Sequence, residues 1–185
     1  YRELKPKKNS IGTLIYLGSF LPKMGSELIL KFAEAYDEYR ITIKGIIPDK
    51  YAYNLPENVM IDGEYTSQED LQEYLSEYHI GLCLYDFSYV NKKEFNHFKH
   101  LPSGKMYNYF NAGIPVIGVR CAGLNPVEKF NAGLLLDDLK PVSIKQALIE
   151  INKNYDYYVA GCKKAARHFD FDRNAQEYLD FLKLQ

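Results

Sequence analysis

The chain has 185 residues, enough to bury one sizeable core, and its 23 basic and 24 acidic residues leave a formal net charge of −1. This balance argues against a nucleic-acid-binding protein, which normally carries a basic face. The cysteines Cys83, Cys121 and Cys162 are too far apart in sequence to indicate a disulfide framework or a zinc site, and they suit a reducing cytoplasm.

Strand-like and helix-like patterns alternate along most of the chain. Residues 1–11 are polar and are interpreted as a linker or tail, and residues 12–185 as one domain. Strands are predicted at 13–17, 40–46, 58–61, 79–85, 115–119 and 133–137. Helices are predicted to start near Ser26, Ser67, Ser103, Asn125, Ser143, Tyr155 and Asp172. This order predicts an α/β fold with a doubly wound, mainly parallel Rossmann-like sheet of about six strands and helices on both faces.

Two of these helix starts resemble capping boxes, Ser67 with Asp70 and Ser143 with Gln146. Residues 86–100, in contrast, are polar and aromatic without a helical or strand period. We therefore predict a long loop there, leading directly into the helix that starts at Ser103.

The stretch from Leu101 to Gly118 combines a helix start, a lysine, a helix stop and a buried strand. Ser103 is a typical N-cap residue, and Gly113 ends the helix. The N–H groups of residues 104–106 are expected to lack intrahelical acceptors, and the helix dipole adds partial positive charge there. The layout predicts a phosphate site in which Lys105 adds a formal charge. The alternative is an ordinary capped helix with an exposed lysine.

Several of these features fall at the carboxyl ends of predicted strands. Gly18 and Ser19 follow the first strand, Gly45 ends the second, and Tyr85 ends the fourth, just before the segment that leads to Ser103. Doubly wound sheets bind ligands at this edge, where the strand order reverses. We therefore expect these residues to meet at one ligand site.

The same stretches resemble the GT-B glycosyltransferases of group 1. The run PSGKMYNYFNAGIPVI, residues 102–117, is similar to the family stretch P-x-x-K-x-x-E-Y-M-A-x-G-x-P-V-I. Leu14 to Gly18 and Ile41 to Gly45 resemble the family's first two strands with their glycines, and residues 122–137 resemble the segment that follows the donor site. The similarity runs from Gly12 onward and corresponds to the C-terminal, nucleotide-sugar-binding half alone.

The resemblance implies a donor site for a nucleotide-diphosphate sugar, with no cofactor and no metal. The implied nucleotide-sugar-binding residues are Gly18, Ser19, Lys23, Gly45, Tyr85, Ser103, Gly104, Lys105 and Asn108. Backbone around Gly18 and the Ser103 helix would hold the diphosphate, Lys105 would neutralise it as the leaving group departs, and Gly45 would flank the base. No catalytic residue is assigned, because the candidate base would lie in the absent half.

Three positions depart from the family pattern. Asn108 stands where a glutamate usually binds the ribose hydroxyls, and Ser19 and Met24 stand where an arginine and a lysine usually clamp the phosphates. His100 lies near the position of the family's other glutamate. Lys105 and Lys23 therefore remain as the basic diphosphate contacts.

As a whole, the resemblance implies a transferase that moves a sugar from a nucleotide donor to an acceptor hydroxyl, in cell-surface polysaccharide or glycoconjugate synthesis. An N-terminal acceptor-binding domain would be missing, so the isolated chain is expected not to turn over. The protein is expected in the cytoplasm, at the inner face of the membrane if the missing half associates peripherally. The alternatives are a non-catalytic nucleotide-binding or scaffold relic, for which the three departures argue, and a nucleotide-sugar epimerase-like domain.

Other titratable clusters give weaker signals. His97 and His100 are close in sequence but lack partner ligands, so surface histidines are favoured over a metal site. Asp137 and Asp138 are interpreted as solvating a turn. Glu128 either faces the donor sugar, by analogy with the family, or lies on a solvated helix face. A receiver-like signalling domain would need an acidic cluster after the first strand, which the sequence does not offer there.

Overall fold

A computed structural model describes residues 12–52, 54–64 and 66–183, so the predicted tail at 1–11 lies outside the described residues. The strands are β1 (Thr13–Leu17), β2 (Arg40–Lys44), β3 (Val59–Asp62), β4 (Ile80–Cys83), β5 (Val116–Val119) and β6 (Gly133–Leu136). They pair in the order β3-β2-β1-β4-β5-β6, and every pairing is parallel. The predicted doubly wound α/β fold is confirmed, and the strand order reverses between β1 and β4.

Helices and short 3-10 turns connect the strands. The helices are α1 (Ser26–Ala35), α2 (Asp49–Ala52), α3 (Gln68–Leu75), α4 (Lys92–His100), α5 (Gly104–Ala112), α6 (Asn125–Lys129), α7 (Pro141–Lys153), α8 (Tyr155–His168) and α9 (Phe171–Lys183). The 3-10 turns are Pro22–Met24, Phe87–Tyr89 and Ala122–Leu124. In the described part of the chain, no helix is long and apolar enough to cross a membrane.

The strands β1, β2, β4, β5 and β6 are largely buried on both faces, as their continuous apolar runs require, whereas the edge strand β3 is partly exposed. Along β1, Leu14 and Tyr16 belong to one core cluster and Ile15 to the other, because side chains alternate across a strand. Helices α1 and α7 cover the first face, and α3, α5 and α8 cover the second. The carboxyl edge of the sheet is therefore fixed between two packed helical layers.

Two local predictions are wrong. Residues 92–100 form helix α4 rather than a loop, because the Asn91 side chain accepts hydrogen bonds from the N–H groups of Lys93 and Glu94 at its start. The Ser143 box also fails: α7 starts earlier, at Pro141, and the Ser143 hydroxyl donates to Asp138 instead. At Ser67 the N-cap half of the predicted box is confirmed, since its hydroxyl accepts the N–H of Asp70 at 3.1 Å, while the Asp70 carboxylate accepts the Ser67 hydroxyl at 2.6 Å.

Candidate functional site

The predicted site residues lie around the carboxyl ends of β1, β2 and β4. Gly18 donates its N–H to the Lys44 carbonyl at 2.8 Å, which joins the ends of β1 and β2. Gly45 lies so close to this loop that a Cβ atom there would overlap the Gly18 carbonyl. Its φ of 143° is also one that only glycine adopts readily. The two glycines therefore allow the backbone segments after β1 and β2 to pack closely at the point where the strand order reverses.

Lys105, in the first turn of α5, reaches into this junction. Its Cε lies 3.8 Å from the position that a Cβ on Gly18 would take. Its Nζ is 5.1 Å from the ring centre of Tyr16 and 5.3 Å from that of Tyr85, so two aromatic rings flank the ammonium group. The predicted meeting of Gly18, Tyr85 and Lys105 is thus present in the structure.

The charge of Lys105 has no counterion in the described part of the chain. Burial lowers the pKa of its amine. The nearby Cys83 thiol supplies no negative charge near neutral pH, because burial raises its pKa to about 12. A desolvated cation without an internal partner gains most from an anionic ligand.

The amino end of α5 offers backbone donors beside this lysine. Among the described residues, no backbone acceptor lies within reach of the N–H groups of Gly104 and Lys105. The prediction is wrong for Met106, whose N–H donates to the Ser103 carbonyl at 3.1 Å. Ser103 occupies the N-cap position, but its buried hydroxyl lies 3.8 Å from the Cys83 sulfur and makes no cap hydrogen bond. Two free N–H groups and one cation remain for a ligand.

Lys23 is separated from Lys105 by two aromatic rings, those of Phe98 and Tyr85. Its Nζ lies 5.4 Å from the ring centre of Phe98, and Phe98 packs edge-on against Tyr85 at 5.8 Å. Tyr85 in turn contacts Lys105. The Lys23 carbonyl accepts the N–H of Asp86 at 3.2 Å, which fixes this loop to the end of β4. Two lysines thus border one region without a shared carboxylate.

Ser19 lies in the loop after β1, and Asn108 lies on α5. The Ser19 carbonyl accepts the Tyr16 hydroxyl at 2.7 Å, so the ring beside Lys105 also holds the loop after β1. Asn108 is half-buried on α5, one turn after Lys105, and its amide has no hydrogen-bond partner among the described residues. An unpaired amide can both donate to and accept from a ligand.

The sequence prediction missed Tyr109, which lies beneath the site. Its hydroxyl accepts the N–H of Leu17 at 3.0 Å and lies 3.2 Å from the Ile15 carbonyl, so it braces β1 from below. The ring fits because β4 carries Gly81, where a Cβ atom would overlap it. A glycine inside a strand signals such a close approach, and this was the available clue.

The remaining charged candidates are engaged or lie elsewhere. Glu128 forms an ion pair with Arg120 at 2.6 Å, and Arg120 also pairs with Asp137. His97 and His100 lie exposed on α4, and no group of three metal-ligating side chains occurs in the described ranges. A cavity of about 840 Å³ opens at the opposite, amino edge of the sheet, where its lining includes four carboxylates and therefore does not suit an anion.

Comparison with solved structures identifies the fold that this chain shares. No known protein family and no curated protein matches the sequence. The C-terminal domain of LpcC, a glycosyl transferase group 1 family protein from Francisella tularensis, superposes with a TM-score of 0.60 at 9% identity, over 84% of this chain and 83% of that chain. TarM from S. aureus, in a complex that includes UDP, gives 0.67 at 14% identity over 97% of this chain and 37% of that chain.

HepE from Anabaena, in complex with UDP-glucose, gives a TM-score of 0.68 at 11% identity, over 95% of this chain and 50% of that chain. The chain thus spans between about a third and a half of the length of TarM and HepE. At these identities the likeness concerns the fold, which is the one found in GT-B glycosyltransferases.

Proposed function

From the GT-B fold that this chain shares, we propose that it is the nucleotide-sugar-binding domain of a glycosyltransferase. The observation that carries the proposal is Lys105, a desolvated cation at the strand-order reversal. Within the described ranges it has no counterion, and it lies beside two α5 N–H groups without an acceptor. A diphosphate matches this set, because it offers several anionic oxygens to one ammonium and two backbone donors. The solved UDP complexes of TarM and HepE add support from proteins of the same fold.

In this proposal the chain's own groups stabilise the leaving nucleoside diphosphate. The Lys105 ammonium and the N–H groups of Gly104 and Lys105 bind the phosphates. Lys23 adds a second positive charge on the far side of the Phe98 and Tyr85 rings. Negative charge on the diphosphate increases as the bond to the sugar breaks, so these preorganised donors favour the transition state. Asn108 is available for a sugar or ribose hydroxyl, and the backbone at Gly45 would flank the base.

The complete reaction needs more than this chain. We infer that an acceptor-binding domain completes the cleft, since the GT-B relatives TarM and HepE are two to three times as long. The acceptor would be a hydroxyl of a cell-surface polysaccharide or glycoconjugate, and the protein would act in the cytoplasm, at the inner face of the membrane. The isolated chain is then expected to bind donor without turnover.

The second candidate is a nucleotide-binding relic without transferase activity. Ser19, Met24 and Asn108 favour it, because they replace the arginine, lysine and glutamate that the family resemblance implies at these positions. An epimerase-like domain has no comparable observation in its favour.

The test is a calorimetric or ligand-observed NMR panel of UDP, GDP and ADP with their monophosphates. With half of a cleft we expect dissociation constants of roughly 0.1 to 1 mM for one preferred diphosphate. Lys105→Met should abolish this preference, and Lys31→Met, which removes an exposed lysine on α1, should not. Absence of binding at several times these concentrations would overturn the donor-site proposal. Binding without sugar transfer by the intact protein would favour the relic.

A further inference from the structure

The loop after β1 is held by two tyrosine hydroxyls that approach it from opposite faces of the sheet. Tyr16 belongs to the core cluster covered by α1 and α7, and Tyr109 belongs to the cluster covered by α3, α5 and α8. The Tyr16 hydroxyl donates to the Ser19 carbonyl at 2.7 Å. The Tyr109 hydroxyl accepts the N–H of Leu17 at 3.0 Å. Both side chains are fully buried, so residues 17–19 are fixed at both ends by groups that themselves have little freedom to move.

The Tyr109 hydroxyl lies at the point where β1 and β4 stop pairing. Strand β1 runs to Leu17, but its pairing with β4 ends at Tyr16, opposite Leu82. Beyond this pair the Leu17 N–H goes to Tyr109 instead. The hydroxyl's own proton reaches the Ile15 carbonyl at 3.2 Å or the Leu82 carbonyl at 3.4 Å. One side chain thus bridges the two strands where the strand order reverses, which is where doubly wound sheets bind ligands.

The same loop leaves one backbone donor open. Gly18 donates its N–H to the Lys44 carbonyl, whereas, within the described ranges, no acceptor lies in reach of the next N–H, that of Ser19. Lys105 passes along this loop, since its Cε lies 3.8 Å from the position that a Cβ on Gly18 would take. An unpaired N–H one residue from this contact is suited to an anionic oxygen that also binds the lysine.

We propose that Tyr16 and Tyr109 are positioning residues for the diphosphate of the nucleotide donor, acting through the loop at 17–19 rather than by direct contact. They hold the Ser19 N–H in the place from which it and the Lys105 ammonium bind one diphosphate. The inference rests on the proposed function, because its ligand is the diphosphate of that proposal. A loop that is ordered before the ligand arrives loses little conformational freedom on binding, and this preorganisation raises the affinity.

The alternative is that the two hydroxyls only satisfy buried backbone groups and so stabilise the fold. The chain offers a matched control for this alternative in Tyr155. Its hydroxyl also donates to a backbone carbonyl, that of His79, at 3.1 Å, but at the opposite, amino edge of the sheet. Each of the substitutions Tyr16→Phe, Tyr109→Phe and Tyr155→Phe removes one oxygen atom and keeps the aromatic ring.

The test measures affinity for UDP, GDP or ADP, whichever the native chain prefers, by ligand-observed NMR on the 185-residue chain. The dissociation constant should rise roughly five- to tenfold in Tyr109→Phe and in Tyr16→Phe, a change of the size expected for one neutral hydrogen bond. In Tyr155→Phe it should stay within about twofold of the native value. Urea unfolding of the three variants confirms that each is folded under the binding conditions.

A second measurement reports on the loop itself. In ¹⁵N NMR spectra the amide proton of Ser19 should move downfield when the diphosphate binds to the native chain or to Tyr155→Phe, because the N–H gains a charged acceptor. At saturation the movement should be clearly smaller in Tyr109→Phe and in Tyr16→Phe. A role in stability alone would not change this shift.

Two results would overturn the inference and leave the donor-site proposal standing. One is native affinity together with a native Ser19 shift in both Tyr109→Phe and Tyr16→Phe. The other is an equal loss of affinity in all three variants, which would report a general loss of stability. If the native chain bound no diphosphate, the donor site itself would be wrong, and this inference with it, so the two failures are distinguishable.

Discussion

Lys44 and Lys105 both lie at the carboxyl edge of the sheet against tyrosine rings, but only Lys44 is satisfied by the protein. Its Nζ pairs with Asp62 at 2.9 Å, donates to the Glu64 carbonyl at 3.0 Å, and lies 4.3 Å from the ring centre of Tyr74. Lys105 has the rings without the carboxylate. The comparison separates a lysine whose charge is paired within the fold from one whose charge has no partner among the described residues.

The energetic consequences follow from burial. A buried ion pair is costly to break, because the remaining partner keeps its desolvated charge. Asp62 shows the pairing: burial raises the pKa of its carboxyl, but the hydrogen bonds from Tyr74 and Lys44 outweigh this and lower it overall. For Lys105 burial dominates and the pKa falls. The charge of Lys105 therefore lowers the stability of the folded domain slightly.

The largest effect is expected from Lys44→Met. It should lower the free energy of unfolding by about 2 to 3 kcal/mol, because the partly buried Asp62 carboxylate loses its cationic partner and keeps neutral donors such as the Tyr74 hydroxyl. Lys105→Met should change it by less than about 0.5 kcal/mol or raise it. Urea unfolding at pH 7 measures both. Adding Asp62→Asn to Lys44→Met should recover part of the loss, and equal losses for the two lysines would contradict the comparison.

For the affinity for a nucleoside diphosphate, Lys105→Met should have the larger effect and Lys44→Met the smaller one. Lys105→Met should weaken binding of the preferred nucleoside diphosphate by roughly 10- to 100-fold, as expected for a lost charged hydrogen bond of about 1.5 to 3 kcal/mol. Lys44→Met should leave the affinity within about twofold in whatever fraction remains folded, because its charge already has a partner. Calorimetry on folded protein gives both values. A loss shared by both variants would mean that Lys44 also reaches the ligand.

The pH dependence sharpens the contrast. With the pKa of Lys105 lowered by burial, affinity for a diphosphate is present below that folded-state pKa and is lost as the pH rises through it. The free energy of unfolding, in contrast, rises with pH between the folded-state pKa and the unfolded-state pKa of about 10.4. In that pH range the unfolded lysine binds more protons than the folded one. Titration calorimetry from neutral to alkaline pH should show the fall in the native protein. Lys105→Arg keeps its charge over this pH range, so its affinity for the diphosphate should not fall. An equal loss of affinity in the native protein and in Lys105→Arg would show that another group titrates.

The smallest effect concerns the helix starts. Ser67→Ala should cost about 1 kcal/mol, because the Ser67 hydroxyl caps α3. Ser103→Ala should cost less than about 0.5 kcal/mol, since its hydroxyl makes no cap bond at α5. Thermal unfolding compares the two. A larger loss at Ser103 would indicate that its contact with Cys83 stabilises the fold more than the structure suggests.

Much of the fold was predictable, because buried strands and amphipathic helices leave periodic patterns. The error at 86–100 arose because α4 is solvent-exposed and carries only two apolar residues, Phe95 and Phe98, so no buried stripe appeared. The sequence feature that indicated α4 was Asn91, a typical N-cap residue. The Ser143 box matched a local motif, while the chain already enters α7 at Pro141.

The site was predictable where residues follow strand ends, since parallel strands bring their carboxyl ends to one edge. Gly18 and Gly45 meet for this reason, and Lys105 reaches Gly18 from the first turn of α5. The missing counterion of Lys105 and the contacts of Tyr109 were not predictable, because they join residues that are far apart in sequence.

The fit of Tyr109 over Gly81 also constrains how the sequence can change over evolution. The aromatic ring occupies the space that any side chain at position 81 would need. A larger residue there is tolerated only when position 109 becomes smaller, and the loop after β1 then loses its brace at Leu17. Among descendants of this domain, positions 81 and 109 should therefore be substituted together rather than separately.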